Sequence, residues 1–144
     1  MDNFMEAAIA EAKISLKEGG IPIGSVLVKN GTIIAKGHNK RIQEQNPILH
    51  AEMDCLNNAG RIGSYRGCVI YSTLMPCYMC GGTIVQFNIP KLIVGENVTF
   101  EGSVEFLEQH GVEVINLQLK ECVEMMTDFI NKNPSLWYED IGEL

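Results

Sequence analysis

Two short stretches, His50-Ala51-Glu52 and Pro76-Cys77-Tyr78-Met79-Cys80, constrain this chain more than any other feature. Each stands at the start of a helical pattern. Residues 51–59 read as a helix closed by Gly60, and a second helix is predicted over 76–87, before Asn88-Ile89-Pro90 break it. Cys77 and Cys80 are three residues apart, so on a helix both thiols face one side. The start of a helix also lowers a thiol's pKa and favours the metal-binding thiolate. One imidazole from His50 brings the set to three protein ligands. A structural zinc is usually closed by a fourth protein ligand, whereas a catalytic zinc keeps that place for water. His38 and His110 have no motif context and are not expected to supply a fourth. The pattern predicts one catalytic zinc ion on His50, Cys77 and Cys80.

Zinc lowers the pKa of a bound water from 15.7 towards about 7. Glu52, two positions from His50, is not needed as a ligand and is suited to carry protons to and from the reacting groups. Residues two apart on an ideal helix point to nearly opposite sides, so the pair converges only if His50 sits at the very first turn.

The segments around these motifs alternate in type. Residues 3–18 form an amphipathic pattern stopped by Gly19-Gly20. Ser25-Val26-Leu27-Val28, Asn30-Gly31 and Thr32-Ile33-Ile34-Ala35 read as a hairpin. Residues 39–49 form a loop. Strands are expected at 68–73, 92–94 and 112–115, and helices at 104–110 and 121–131. Pro134 then stops the last helix and begins an aromatic, acidic tail. The order α-β-β-α-β-α-β-α-β-α predicts a single three-layer α/β/α domain spanning 1–144, with a mixed, mostly parallel five-stranded sheet: a hairpin first, then parallel crossovers.

Eighteen acidic against eleven basic residues give a net charge of −7, and no cluster of Lys or Arg exceeds Lys36, Lys40 and Arg41. A long nucleic acid is therefore disfavoured as a partner, because phosphate contacts need a basic footprint. The N-terminus is acidic where a secretory leader would be basic, and no apolar run reaches membrane-spanning length. The expected compartment is the cytoplasm, with no membrane partner. Five cysteines argue against a disulfide framework there. Cys55, Cys68 and Cys122 read as small buried hydrophobes.

The pattern H-x-E…P-C-x-x-C is a signature of zinc nucleobase deaminases. The likeness goes further. Gly20-Ile21-Pro22-Ile23-Gly24, Gly37-His38-Asn39, Thr73-Leu74-Met75-Pro76-Cys77, residues 95–100 and residues 137–143 resemble the small zinc cytosine deaminases of the fungal type. That family implies a cytidine-deaminase-like fold, one zinc per subunit, a homodimer, and hydrolysis of cytosine to uracil and ammonia in pyrimidine salvage. Residue by residue, it implies that Asn39 bonds the polar edge of the base, the Ala51 amide meets the ring carbonyl, and Glu52 contacts the ring nitrogen and amino group. It also implies that Phe100, Trp137 and Ile23 wall the pocket, Asp140 accepts from the ring N–H, and residues 134–144 close the mouth as a lid. The chain departs from the pattern at Met75, Tyr78 and Ala51, which stand where the group usually has serine, an acidic residue and glycine. Met75 and Ala51 adjoin the ligands and bear on the substrate pocket.

Other readings stay open on the residues alone. They are deamination of another small amino-substituted heterocycle (guanine, isoguanine or a cyclic amidine), a non-catalytic zinc module, and a thiol redox protein. The last would have no use for His50 and Glu52.

Overall fold

The computed structural model describes residues 2–144. The elements run α1 (Asn3–Lys17), β1 (Gly24–Lys29), β2 (Thr32–His38), α2 (Ala51–Ala59), β3 (Cys68–Ser72), α3 (Tyr78–Gln86), β4 (Lys91–Val94), α4 (Val104–Gln109), β5 (Glu113–Asn116), α5 (Lys120–Lys132) and α6 (Pro134–Asp140). None of these helices is long and apolar enough to cross a membrane.

Helix α1 begins at Asp2, whose Oδ1 accepts from the Phe4 amide at 2.8 Å, and it buries Met5, Ala8, Ile9, Ala12 and Ser15 on one face. The predicted hairpin forms. Asn30 (φ 51°) and Gly31 (φ 75°) both take the left-handed conformation that a two-residue turn between twisted strands requires.

The five strands lie in the order β2-β1-β3-β4-β5. β1 is antiparallel to both neighbours, while β3, β4 and β5 are mutually parallel. Four strands therefore run one way and β1 alone opposes them. Because β1 sits inside the sheet, its single reversal makes two of the four neighbouring pairs antiparallel.

Alternation along the strands divides the core into two layers. Leu27, Ile70, Leu92 and Val94 meet Cys55 and Leu56 of α2, Ile84 of α3 and Leu107 of α4. Val26, Val28, Tyr71 and Ile93 turn the other way, onto Met5, Ala8 and Ile9 of α1 and Cys122 of α5. Cys55, Cys68 and Cys122 are all buried, as expected of small hydrophobes. A third cluster joins Ile21, Ile23, Ala51 and Leu74 to Met126 and Phe129 of α5 and Trp137 of α6. It gathers where β2, β3 and β4 end and β1 begins, the edge of an α/β sheet at which ligands bind.

Two local expectations are corrected. The third helix starts at Tyr78 rather than Pro76, because Cys77 is the extended N-cap residue (φ −71°, ψ 179°) and Pro76 lies outside. The aromatic tail is itself helical. Pro134 ends α5, but its fixed φ and missing N–H suit the first turn of the helix that follows.

Gly37 is where β2 passes closest to α2. A Cβ there would strike the backbone amide of Cys55 and lie 2.8 Å from Asp54 C and Cys55 Cα. Gly37→Ala should therefore destabilise the fold by ~1–3 kcal/mol, the scale of core overpacking. Denaturant unfolding measures this, and an unchanged midpoint would show that the two elements have slack between them.

Candidate active site

His50 and Cys77 are the N-cap residues of α2 and α3, and neither backbone is yet helical (φ −68°, ψ 165° for His50). This resolves the spacing problem posed by His50 and Glu52. An extended residue does not follow helical periodicity, so both side chains line one pocket. The His50 Nδ1 lies 3.4 Å from Cys77 Sγ. With the fully buried Cys80, the three donor atoms fall within 4.8 Å of one another, and no other such group exists among the described residues. Zinc–sulfur bonds of about 2.3 Å and zinc–nitrogen bonds of about 2.0 Å set tetrahedral edges of roughly 3.4–3.8 Å. Two thiols and one imidazole at these separations fit zinc. The other ring nitrogen of His50 faces Asp140, with Nε2 3.3 Å from Oδ1. A carboxylate behind a ligating imidazole fixes its tautomer and orientation.

The loops are anchored from beneath. Ser103 donates from both its amide (2.9 Å) and hydroxyl (2.8 Å) to the Pro76 carbonyl, which sets the start of α3. Ser103 stands at a helix N-cap, yet its hydroxyl serves this neighbouring loop rather than its own helix. Glu96 is completely buried and accepts from the amides of Val98 (2.7 Å) and Thr99 (3.0 Å) and from the Thr99 hydroxyl (2.5 Å). Its own carbonyl accepts from the Met75 amide at 3.0 Å. This folded loop delivers Phe100 to the pocket.

The walls are Ile23, Leu74, Met75, Phe100, Trp137 and Ile141, with His50, Glu52, Cys77 and Asp140 supplying the polar groups. They enclose about 290 Å³, counting the open mouth. Phe100 meets Trp137 edge to face, at 5.7 Å and 89°. Of the residues that the family resemblance assigns to substrate, Ile23, Met75, Phe100, Trp137 and Asp140 line this space. Asn39 and Ala51 lie behind it, each completely buried. Asn39 uses both ends of its side chain within the protein: Oδ1 accepts from the Arg41 amide at 3.0 Å, and Nδ2 reaches Asp140 Oδ1 at 3.5 Å. Tyr78 points away from the ligands, 75% exposed, with its ring edge on Phe106. Ile141, Leu74, Glu96 and Ser103 are the site residues that sequence reasoning did not assign. Leu74 and Glu96 fall inside the stretches that carried the resemblance, Ile141 follows Asp140, and Ser103 gave no signal.

The buried groups perturb one another strongly. The Cys77 thiol is pushed down to about 4, chiefly by a hydrogen bond from Cys80, with His50 contributing and burial opposing. Cys80 rises correspondingly, through the same hydrogen bond and its burial. Burial pulls the His50 pKa down, but Cys77 and the charge of Asp140 overcome it and raise the pKa to about 9. Glu52 is pushed up to about 7, first by burial and then by the negative charge of Cys77. Asp140 is raised by burial, against the charge of His50.

Metal binding needs an unprotonated imidazole, so protons compete with zinc for His50 as pH falls below about 9. Apparent zinc affinity should therefore climb from mildly acidic to mildly alkaline solution, as read by chelator competition. Cys80→Ala should lose the ion and much of its stability. Full metal retention by that variant would remove Cys80 from the ligand set.

Residues 1–96, which contain both ligand stretches, match the family described as the cytidine and deoxycytidylate deaminase zinc-binding region. The chain is 46% identical over 142 residues to a cytosine deaminase of Candida albicans, covering 96% of this chain and 95% of that protein. It is 37% identical over 141 residues to a tRNA-specific adenosine deaminase of Streptococcus pyogenes, covering 90% and 82%. Among solved structures, one from a study of tRNA:A34 deaminases superposes with a TM-score of 0.71 at 30% identity, over 79% of this chain and 96% of that one. The guanine deaminase of Nitrosomonas europaea, at 18% identity, shares the fold, with a TM-score of 0.76 over 88% and 82%. The ligand stretches and the near full-length likeness to the Candida protein agree: the chain belongs to the cytidine and deoxycytidylate deaminase superfamily, in its fungal cytosine deaminase type, as a hydrolase of carbon–nitrogen bonds with one zinc ion.

Proposed function

We propose that this protein hydrolyses cytosine to uracil and ammonia. The observation that carries the reading is the pocket. It is narrow, it has apolar walls, and its protein groups include two buried carboxyls, Glu52 and Asp140. The near full-length identity to a cytosine deaminase supports it.

Bound zinc supplies a Lewis acid that makes water nucleophilic near neutral pH. Glu52, titrating near 7, both takes and gives protons. It removes a proton from the attacking water and passes it to the ring nitrogen. It then takes the second proton from the hydroxyl newly bonded to the ring carbon and gives it to the departing amine, so that the carbonyl forms as ammonia leaves. Asp140 accepts from the N–H on the other side of the ring, steadied by Asn39 behind it. The Ala51 amide, in the first turn of α2 where no intrahelical acceptor exists, donates to the ring carbonyl. Phe100, Trp137, Ile23 and Met75 hold the faces and edges of the ring. Residues 134–144 form the lid, since α6 brings Trp137 and Asp140 to the pocket and Ile141 follows them. Shutting it excludes water and strengthens the electrostatics of Glu52.

A homodimer completes the reading, supported by exposed apolar side chains on segments that border the site, Tyr78 and Val98, each 75% exposed. The setting proposed is cytoplasmic pyrimidine salvage.

A nucleoside carries ribose where Asp140 would accept the ring proton, so it offers no donor there. Cytosine should release ammonia, whereas cytidine, single-stranded DNA and tRNA should not. Faster turnover of cytidine than of cytosine would reject the free-base assignment. Glu52→Gln keeps the shape but loses the titrating group. Its zinc content should hold while turnover falls at least ~10²-fold. Near-parental turnover in the metal-loaded variant would take the proton transfers away from Glu52.

A further inference from the structure

His38, the last residue of β2, anchors a polar cluster that the reaction does not use. It is 8% exposed, and its two ring nitrogens face one carboxylate of α1 and one of the residue that caps its C-terminus. Nδ1 lies 2.9 Å from Glu11 Oε1, and Nε2 lies 2.9 Å from Glu18 Oε1. An ionised carboxylate only accepts, and a neutral imidazole donates from one nitrogen alone. Both bonds close only when the ring donates from both sides. The Glu18 carboxyl is held below its ordinary value first of all by its hydrogen bond with His38. The backbone is pinned as well. The His38 amide donates at 3.1 Å to Oδ2 of Asp54, whose Oδ1 takes the Lys40 ammonium at 3.1 Å. Glu11 of α1, Glu18 at the C-cap of that helix, Asp54 of α2 and Lys40 from the following loop are the charged groups bonded around this end of β2.

The next residue leads into the active site. The Asn39 amide donates to the Ile23 carbonyl (3.0 Å), and its own carbonyl accepts from Ser15 Oγ (2.7 Å) and Gln43 Nε2 (3.0 Å). With its backbone fixed on every side, Asn39 sends Nδ2 to Asp140 Oδ1, and that same oxygen faces His50 Nε2. A continuous polar path thus runs from α1 through His38, Asn39 and Asp140 to the metal ligand.

We propose that His38 is a positioning residue: held by Glu11 and Glu18, it fixes the end of β2 so that Asn39 sets the place of Asp140 against His50 and the substrate. This rests on the reading of Asp140 as a substrate contact. Glu52 and Cys80 stand on α2 and α3, and His50 and Cys77 cap those helices, so a failed clamp at the end of β2 weakens substrate binding more than the chemical step.

The test uses the full-length, zinc-loaded protein. In His38→Gln the new amide satisfies one carboxylate and turns its carbonyl oxygen on the other. KM should rise about tenfold, the scale of one hydrogen bond, with a smaller fall in kcat and unchanged zinc content. The His50 Nε2 proton resonance in a nitrogen-15 spectrum should move as its Asp140 partner loosens. Adding Glu18→Gln supplies a donor to the misdirected carbonyl and should bring KM and the resonance back together. Parental KM in folded His38→Gln overturns the proposal, and so does a raised KM that the second substitution leaves raised. Should His38→Gln fail to fold, Glu18→Leu at a half-exposed position breaks one arm of the clamp and is judged by the same rise or constancy of KM. The assay uses whichever base the parent deaminates, and the resonance needs no turnover. A parent inactive on cytosine would count against the substrate proposed above and leave the clamp to be decided by these readouts.

Discussion

The active site depends on two helix starts converging on one point. His50 and Cys77 follow different strands, yet β2 and β3 run the same way, so both chains leave the sheet at one edge. Each residue meets that edge as an N-cap, still extended, before its helix turns away. Had either been one residue deeper in its helix, its donor would have rotated off the common centre. The interior position of β1 matters for the same reason. It separates β2 from β3 in the sheet, so the two chains that lead to His50 and Cys77 leave strands that are not neighbours.

The site concentrates charge where the fold offers little water. Glu52, Asp140, His50 and two thiols lie buried within one small space, and desolvation alone would neutralise most of them. These groups shift one another's pKa values strongly. Cys77 is driven to the thiolate by its neighbours, while Glu52 is driven towards its protonated form by burial and by that thiolate. Neighbouring acids pushed in opposite directions are what proton shuttling beside a metal demands. Asp140 reaches the pocket from the far end of the chain, where it meets the metal ligand and lines the substrate space together.

Much of this was legible before the structure. The hairpin rested on Asn30-Gly31, the layers on the order of elements, and the ligand set on spacing, because all three are local or periodic signals. What escaped notice was non-local. Pro134 read as a stop because it ends α5, and a seven-residue helix beyond it leaves too short a pattern to detect. Ser103 gave no signal, since nothing in its neighbourhood reveals that its hydroxyl belongs to Pro76, 27 positions earlier. Glu96 read as part of a loop motif, while its work is to be bonded inside that loop. The family likeness pointed to Asn39, but only the coordinates show that both ends of its amide are engaged by the protein.

The three departures from the fungal pattern separate once their surroundings are known. Tyr78 stands in solvent and touches Phe106, so it leaves the chemistry alone. Ala51 adds one methyl group to a helix start that is completely buried beside Leu74 and Trp137 in the cluster behind the pocket. Its amide is unaffected by the side chain, so the change leaves the free backbone donor of the helix start in place. Met75 is different. It is 2% exposed, it lines the pocket, and its amide is tied to the Glu96 carbonyl, which holds its main chain against the loop that carries Phe100. An unbranched, polarizable thioether can adapt its shape but offers almost no hydrogen bonding. That wall of the pocket is therefore apolar and offers almost no hydrogen-bond partner. Of the three departures Met75 alone changes a wall of the pocket, and it does so without touching the polar groups that Glu52, His50, Cys77 and Asp140 supply.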